Sequence, residues 1–126
     1  MEVPVAPKRV LIIDDEHIIR YTTSVLLKKH GIEALTAETG RQGIDAARQE
    51  QPDMILLDIM MPDMDGWAVI DELGKDQSTA SIPVVLFTAG DPTDTQRRAE
   101  QHGGVQAVLR KPFRMEELLR ICGVAE

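Results

Sequence analysis

Acidic, hydroxyl and ammonium side chains follow four of the short apolar runs in this sequence, each close to the point where the run ends. Carboxylate oxygens without a cluster of histidine or cysteine favour a hard divalent cation, Mg²⁺ or alternatively Mn²⁺, over Zn²⁺. With its charge screened by such a cation, Asp58 could attack phosphorus as a nucleophile and form an acyl phosphate. The candidate side chains are Asp14, Asp15, Glu16, Asp58, Thr88 and Lys111.

The charge balance of these side chains also favours a cation site. Two carboxylates ~5 Å apart repel by roughly 3 kcal/mol at an effective dielectric constant of 20, and a single lysine accompanies several of them here. The metal ion, the ammonium group of Lys111 and the hydroxyl of Thr88 could then hold a phosphoryl group on Asp58. Singly, each residue has an ordinary explanation, since an Asp pair can cap a helix and a Thr can occupy a loop. Their joint position after four strands favours the functional interpretation.

Short apolar runs alternate with segments of helical period, which is typical of β-α-β units around a parallel sheet. Right-handed crossovers place helices on both faces of such a sheet and align all the strands, so residues at the strands' carboxyl ends share one rim. Open α/β sheets bind ligands at that rim. The second strand is the least apolar and is predicted to lie at an edge. The predicted strands are residues 10–13, 33–37, 54–57, 84–87 and 105–109.

Five helices are predicted to alternate with these strands. The fourth, residues 92–102, has Ala99 as its sole apolar side chain and is predicted to be weakly held and mobile. Pro62 and the Asp65-Gly66 pair indicate a structural turn after Asp58. In the first helix, the residues predicted to share one face at a period of 3.6 are Ile18, Thr22, Val25, Leu26 and Lys29.

The chain has 126 residues, enough for one domain with its own core. Its 14 basic and 21 acidic side chains give a formal net charge of -7, which argues against direct nucleic-acid binding. The single cysteine, Cys122, excludes an internal disulfide or a thiolate metal site and favours a reducing cytoplasm. The apolar runs are too short for a membrane span or a signal peptide. We therefore predict a cytoplasmic protein without a membrane anchor.

Four stretches of the sequence together resemble the receiver domains of two-component response regulators. The resemblance covers residues 9–124, after a predicted flexible leader of residues 1–8. It implies a flavodoxin-like (βα)5 fold, an α/β three-layer sandwich whose parallel five-stranded sheet has the order 2-1-3-4-5. The matching stretches are Val-Leu-Ile-Ile-Asp-Asp-Glu at 10–16, Leu-Leu-Asp-Ile-Met-Met-Pro-Asp-Met-Asp-Gly at 56–66, Thr-Ala at 88–89 and Lys-Pro-Phe at 111–113.

The resemblance implies that Asp58 is the phosphoacceptor. It also implies that Asp15, Asp58 and the backbone carbonyl of Met60 coordinate Mg²⁺, while Asp14 acts mostly through metal-bound water. Lys111 would pair with the phosphoryl group.

The resemblance assigns the remaining contacts of the phosphoryl group as well. Thr88 would donate a hydrogen bond to it, and the amides of Met60 and Ala89 would complete the cradle. The Lys111-Pro112 peptide is typically cis in the family, which would aim the lysine into the pocket.

This sequence lacks the aromatic residue on which a switch known in the family depends. Many receivers carry Tyr or Phe three residues before the lysine, and its ring rotates into space that Thr88 vacates. Val108 occupies that position here and has no ring to rotate. We therefore predict that the switch depends on backbone shifts in residues 89–94 and on the fourth helix.

The resemblance implies that a sensor histidine kinase or a histidine phosphotransfer protein supplies the phosphoryl group, and that an unknown downstream protein reads it. The chain would then be no enzyme beyond its own phosphorylation and slow dephosphorylation. A degenerate receiver that serves only as a docking module is one alternative. An aspartyl-nucleophile phosphatase is another, but it needs a second Asp where Met60 stands. A flavodoxin-like FMN site is disfavoured because the acidic residues 14–16 would repel the phosphate.

Overall fold

The structure is a computed structural model that describes residues 7–89, 92–111 and 114–122. Five strands alternate with five helices along the chain. Their bounds are β1 Arg9–Ile13, α1 His17–Lys29, β2 Glu33–Ala37, α2 Gly40–Glu50, β3 Met54–Asp58, α3 Gly66–Lys75, β4 Val84–Thr88, α4 Pro92–His102, β5 Val105–Arg110 and α5 Met115–Ile121.

The strands form one parallel sheet in the order β2-β1-β3-β4-β5, which confirms the predicted fold class and strand order. β2 lies at one edge, as its polar character predicted. β3 and β4 each extend one residue beyond the prediction, to Asp58 and Thr88. These two side chains therefore belong to the ends of their strands, where the sheet still determines their positions.

Two apolar layers cover the two faces of the sheet. Leu11 and Ile13 of β1 point into a cluster with side chains of α2, α3 and α4. Val10 and Ile12 point to the opposite face, into a cluster with side chains of α1 and α5. Because residues alternate between faces along a strand, each central strand contributes to both layers. Burial of each Leu or Ile stabilises the fold by about 1.5–3 kcal/mol, so the central strands hold the rim in a rigid frame.

The buried face of α1 differs from the predicted face. Thr23 and Leu27 are buried and Ile19 packs against the core, whereas Ile18 is 71% exposed and Val25 is 40% exposed. The predicted face was wrong because the helical period gives the spacing of a stripe but not its phase, and two adjacent stripes of α1 have that spacing. Contact with the sheet selects one of them.

α4 is weakly packed, as its composition predicted. Ala99 is its one buried residue among the side chains that the structure describes in this helix. From the α4 side, the contacts with α3 that the structure describes are made by Arg98 and His102, which lie against the Trp67 ring, and by the bond of His102 to Asp71. Such contacts stabilise a helix less than a buried apolar face does.

Some predicted features lie partly or wholly outside the described residues. These are most of the leader, in residues 1–6, and the end of the domain, in residues 123–124. Within the described part, the amide of Lys8 donates to Asp53 Oδ2 at 2.9 Å and its carbonyl accepts from the Glu33 amide at 2.9 Å. The chain is therefore joined to the sheet by residue 8. None of the helices in the described ranges has the length and apolarity needed to span a membrane.

Candidate functional site

Three neighbouring strands bring the candidate side chains together at one rim. Ile13 of β1 pairs with Leu57 of β3. Asp14 and Asp58 are the next residues of these two adjacent strands. Asp58 pairs with the residue that precedes Thr88 on β4. Because adjacent strands lie about 4.8 Å apart, the sheet alone places these side chains within reach of one another.

Asp14 is fully buried, and its amide, its carbonyl and one side-chain oxygen each make a hydrogen bond. Its amide donates to the Ala37 carbonyl at 3.1 Å, and its carbonyl accepts from Arg20 Nη1 at 2.7 Å. Its Oδ1 accepts from the Glu16 amide at 2.9 Å. The remaining oxygen, Oδ2, lies 2.9 Å from Lys111 Nζ but has no aligned hydrogen bond to any described residue. This buried oxygen therefore retains capacity for a further electropositive partner.

Asp58 is 5% exposed and lies beside a second carboxylate. Its Oδ1 accepts from the Met60 amide at 3.2 Å, and its Oδ2 lies 3.3 Å from Lys111 Nζ. Burial, together with the charge of Asp14, raises the pKa of Asp58 to about 6, although Lys111 and the Met60 amide act in the opposite direction. A cation bound beside Asp58 would favour its charged form and lower this pKa.

Lys111 is positioned through its backbone as well as its side chain. Its amide donates to the Thr88 carbonyl at 2.7 Å, which fixes the start of the loop after β5. Its Nζ lies 3.2 Å from Glu16 Oε1 and contacts Asp14 and Asp58. Burial lowers the pKa of Lys111, but the three carboxylates around its ammonium group outweigh that effect and raise the pKa above the ordinary lysine value. The side chain is therefore a persistent cation in the site.

The acidic cluster fits a hard divalent cation. One carboxylate oxygen each from Asp14, Glu16 and Asp58 lie within 4.8 Å of one another. This all-oxygen donor set, in which Asp14 Oδ2 accepts no aligned hydrogen bond from a described residue, suits Mg²⁺ better than a metal that prefers nitrogen or sulfur ligands.

The cluster differs in membership from the predicted ligand set. Asp15 is exposed and is not one of its residues, so its role as a metal ligand stays a prediction. Glu16, to which the sequence interpretation gave no separate role, lies in the cluster instead. It is the N-cap residue of α1 but makes no side-chain capping hydrogen bond, and its carboxylate faces Lys111. The only sequence signal for this was its place directly after the Asp pair.

The loop after Asp58 turns sharply and returns at Gly66. The Gly66 amide donates to the Ile59 carbonyl at 2.6 Å. A Cβ atom on Gly66 would lie 2.8 Å from Ile59 Cα and 3.2 Å from the Asp58 carbonyl oxygen. The turn therefore has no room for a side chain here. Met60 lies in the same loop with its side chain 73% exposed.

The remaining predicted residues lie near the rim or outside the described part. Thr88 is buried at the end of β4, Ala89 follows it at the surface, and Val108 packs against the core layer formed with α2, α3 and α4. Pro112 lies outside the described residues, so the predicted cis peptide at Lys111-Pro112 stays a prediction.

Comparison with known sequences identifies relatives along nearly the whole chain. The family model for the response regulator receiver domain matches residues 10–122. The chain is 39% identical over 112 residues to Protein PilH of Pseudomonas aeruginosa, covering 89% of this chain and 92% of PilH. It is 40% identical over 112 residues to the DNA-binding dual master transcriptional regulator RpaA of Synechocystis, covering 88% of this chain. The chain spans only 46% of the length of RpaA.

Solved structures have the same fold. The chemotaxis protein CheY4 of Vibrio cholerae superposes with a TM-score of 0.83 and 29% identity, covering 91% of this chain and 95% of CheY4. The receiver domain of a sensor histidine kinase from Pseudomonas aeruginosa superposes with a TM-score of 0.81 and 25% identity, covering 93% of this chain and 95% of that domain. That receiver domain was solved with a magnesium ion coordinated in its active-site cleft.

Proposed function

Because the chain belongs to the response regulator receiver family of two-component signalling, we propose that it accepts a phosphoryl group on Asp58 in a Mg²⁺-dependent reaction. The donor is the phosphohistidine of a sensor histidine kinase or of a histidine phosphotransfer protein. One observation carries this proposal: the buried Asp58 carboxylate lies 3.3 Å from Lys111 Nζ, in an acidic cluster at the carboxyl rim of the sheet.

In the proposed reaction, a carboxylate oxygen of Asp58 attacks the phosphorus atom of the donor. The bond between phosphorus and the imidazole nitrogen breaks, and its electron pair leaves with the histidine, which takes up a proton. The product is an acyl phosphate on Asp58. Burial favours this chemistry because it limits the access of water to the carboxylate and strengthens its interactions with nearby charges.

The acidic cluster of Asp14, Glu16 and Asp58 supplies oxygens that would hold the metal ion. Asp15 and the Met60 carbonyl are further proposed ligands, on the basis of the family resemblance. When bound, Mg²⁺ supplies positive charge that offsets the crowded carboxylates and the incoming phosphoryl oxygens.

Other residues of the chain orient and neutralise the phosphoryl group. The ammonium group of Lys111 moves from its contact with Asp58 to a phosphoryl oxygen, a short step because Nζ already lies beside the acceptor. The Thr88 hydroxyl and the amides of Met60 and Ala89 donate hydrogen bonds to the remaining oxygens. Charge-assisted hydrogen bonds of this kind are about twice as strong as neutral ones.

In this proposal, the chain acts as a switch rather than as an enzyme with a separate substrate. It catalyses its own phosphorylation and slowly loses the phosphoryl group by hydrolysis, and a downstream protein reads the phosphorylated form. The chain spans less than half of RpaA, so the output function named for that relative is not carried over.

A phosphotransfer assay tests the proposal. The chain is incubated with phosphorylated histidine kinases of its source organism, with and without Mg²⁺, and intact mass reports phosphoryl addition. We expect one phosphoryl group on the wild-type chain with Mg²⁺, none after chelation, and none on Asp58→Asn.

Asp53→Asn is the matched control, because it makes the same Asp-to-Asn replacement away from the site. The Asp53 carboxylate accepts hydrogen bonds from backbone amides at the opposite end of β3. This variant should be phosphorylated like the wild type. A chain that no kinase phosphorylates, although it binds one of them, would instead support the docking-module alternative. Phosphorylation that persists in Asp58→Asn would contradict the assignment of the acceptor.

A further inference from the structure

The loop of residues 59–65, between β3 and α3, is attached to the N-terminus of α2 by one carboxylate. Asp63 Oδ1 accepts from the Gly40 amide at 3.0 Å, and Asp63 Oδ2 accepts from the Arg41 amide at 3.2 Å. Asp63 is 23 residues from Gly40 in the sequence, so the contact ties two separate elements together. Both carboxylate oxygens are used, which restrains the loop more than a single bond would.

Electrostatics favour the charged form of Asp63 in this contact. Burial alone would raise the pKa of Asp63, but the amides of Gly40 and Arg41 lower it below the ordinary aspartate value. These amides belong to the first turn of α2, where backbone N–H groups lack partners within the helix and the helix dipole favours a negative charge. Thr39 caps the same helix by accepting from the Gln42 amide at 3.1 Å. Asp63 therefore adds a second, long-range cap.

Packing reinforces the attachment next to the carboxylate. Met64 lies against Gly40, where an added Cβ atom would fall 2.8 Å from Met64 Sδ and would also collide with Met64 Cγ. A larger residue at position 40 would displace Met64. The loop thus contacts α2 through a charged group and an apolar side chain in succession.

The attached loop carries the backbone groups that the site uses. It starts directly after Asp58, and the Met60 amide donates to Asp58 Oδ1. Its far end is closed by the hydrogen bond between Gly66 and Ile59. Asp63 lies three residues beyond Met60, so release of its carboxylate would loosen the segment that contains Met60, while Asp58 and Gly66 stay in place at the ends of β3 and α3.

We infer that Asp63 is a positioning residue for the metal and phosphoryl site. It fixes the backbone of Met60 by anchoring the loop to α2, without touching the metal or the phosphoryl group. This inference rests on the proposed function, because it concerns the Met60 carbonyl as a metal ligand and the Met60 amide as a phosphoryl donor.

Mg²⁺ titration of the unphosphorylated full chain tests the inference. Calorimetry gives the affinity, and backbone amide NMR shifts report the Met60 position with and without metal. We expect Asp63→Ala to bind Mg²⁺ about tenfold more weakly, in the range observed when groups that orient metal ligands are removed. We also expect the Met60 amide shift to change before any metal is added. Asp63→Asn should be intermediate, because its amide group can accept only one of the two backbone hydrogen bonds.

Thr39→Ala is the matched control. It removes the other cap of α2, at a cost of about 1 kcal/mol in stability, but keeps the Asp63 carboxylate and the two amides that it accepts from. We expect its Mg²⁺ affinity to stay within about twofold of wild type, a loss much smaller than the tenfold effect. Equal weakening in Thr39→Ala would overturn the inference, since the effect would then come from α2 alone. Wild-type affinity in Asp63→Ala would also overturn it.

The two proposals fail in different ways. Normal phosphorylation of wild-type Asp58 with unchanged Mg²⁺ affinity in Asp63→Ala overturns only the role of Asp63. A wild-type chain that binds no Mg²⁺ overturns both. If Asp63→Ala does not fold, Asp63→Asn carries the comparison, and an affinity equal to wild type in that variant contradicts the inference.

Discussion

His102 Nε2 lies 2.6 Å from Asp71 Oδ1 and joins the last turn of α4 to α3. Beside this contact, the Arg98 guanidinium lies 4.6 Å from the centroid of the Trp67 ring, and the His102 ring lies 5.2 Å from the same ring. Trp67 follows Gly66 in the first turn of α3, directly after the loop of residues 59–65. These contacts therefore attach the weakly packed α4 to α3, the helix that begins directly after the loop of residues 59–65.

The first prediction concerns the stability of α4. His102→Ala removes a surface hydrogen bond or ion pair worth about 0.5–1 kcal/mol. Because Ala99 is the one buried residue described in α4, we expect amide hydrogen exchange in this helix to become about two- to fivefold faster. Exchange in β1 and β3 should change little. Arg97→Ala serves as control, since Arg97 pairs with Asp94 inside the same helix. Equal exchange in wild type and His102→Ala would contradict the fastening role.

The second prediction concerns the response of α4 to a phosphoryl mimic. Val108 provides no aromatic switch, so we expect the backbone after β4 and α4 to move when Asp58 is occupied. Trp67 is the single tryptophan of the chain and contacts Arg98, so its fluorescence should change when beryllium fluoride and Mg²⁺ are added. Asp58→Asn should show no change. An unchanged Trp67 signal together with unchanged NMR shifts in α4 would exclude this route.

The third prediction concerns the pH dependence of stability. The pKa of Asp58 is raised to about 6 in the folded chain, above the value of about 3.9 expected when unfolded. The folded state therefore binds more protons between these values, and the stabilisation present at low pH is lost as pH rises through about 6. We expect Asp58→Asn to be more stable than wild type by about 1–2 kcal/mol at pH 7.5. The difference should vanish near pH 4, as measured by chemical denaturation at both pH values.

The fourth prediction concerns Lys111. Its ammonium group offsets the charges of Asp14 and Asp58, which lie 2.9 Å and 3.3 Å from Nζ. Lys111→Met keeps most of the side-chain volume but removes that charge. We expect the pKa of Asp58 to rise further above 6, as followed by carbon-13 NMR of the carboxyl group without metal. A pKa that stays the same or falls would show that the ammonium group does not control the acceptor.

The fifth prediction compares two glycines of α3. Gly66→Ala places a Cβ atom 2.8 Å from the Ile59 backbone, so we expect a loss of about 1–3 kcal/mol in the free energy of unfolding. Gly74→Ala meets no atom within 4 Å and should stabilise the helix by up to about 1 kcal/mol. Urea denaturation distinguishes the two. Similar effects of both substitutions would mean that the close approach at Gly66 relaxes readily.

The sequence alone predicted which side chains lie together at the rim because strand ends are local features. Asp58 and Thr88 follow apolar runs, and right-handed crossovers bring the carboxyl ends of parallel strands to one side. The proximity of these two side chains could therefore be predicted without knowing how the helices pack. The order of the strands came from the family resemblance, and the observed pairing confirms it.

Tertiary structure decided the features that depend on phase and on distant contacts. Periodicity could not choose between the two stripes of α1, since both have helical spacing, and packing on the sheet selected the one with Leu27. Nothing local could place the Glu16 carboxylate beside Lys111, 95 residues away. The attachment of Asp63 to α2 and that of His102 to α3 likewise join groups far apart in sequence. Each depends on the angle at which a helix lies on the sheet, which arises from the packing of many side chains at once.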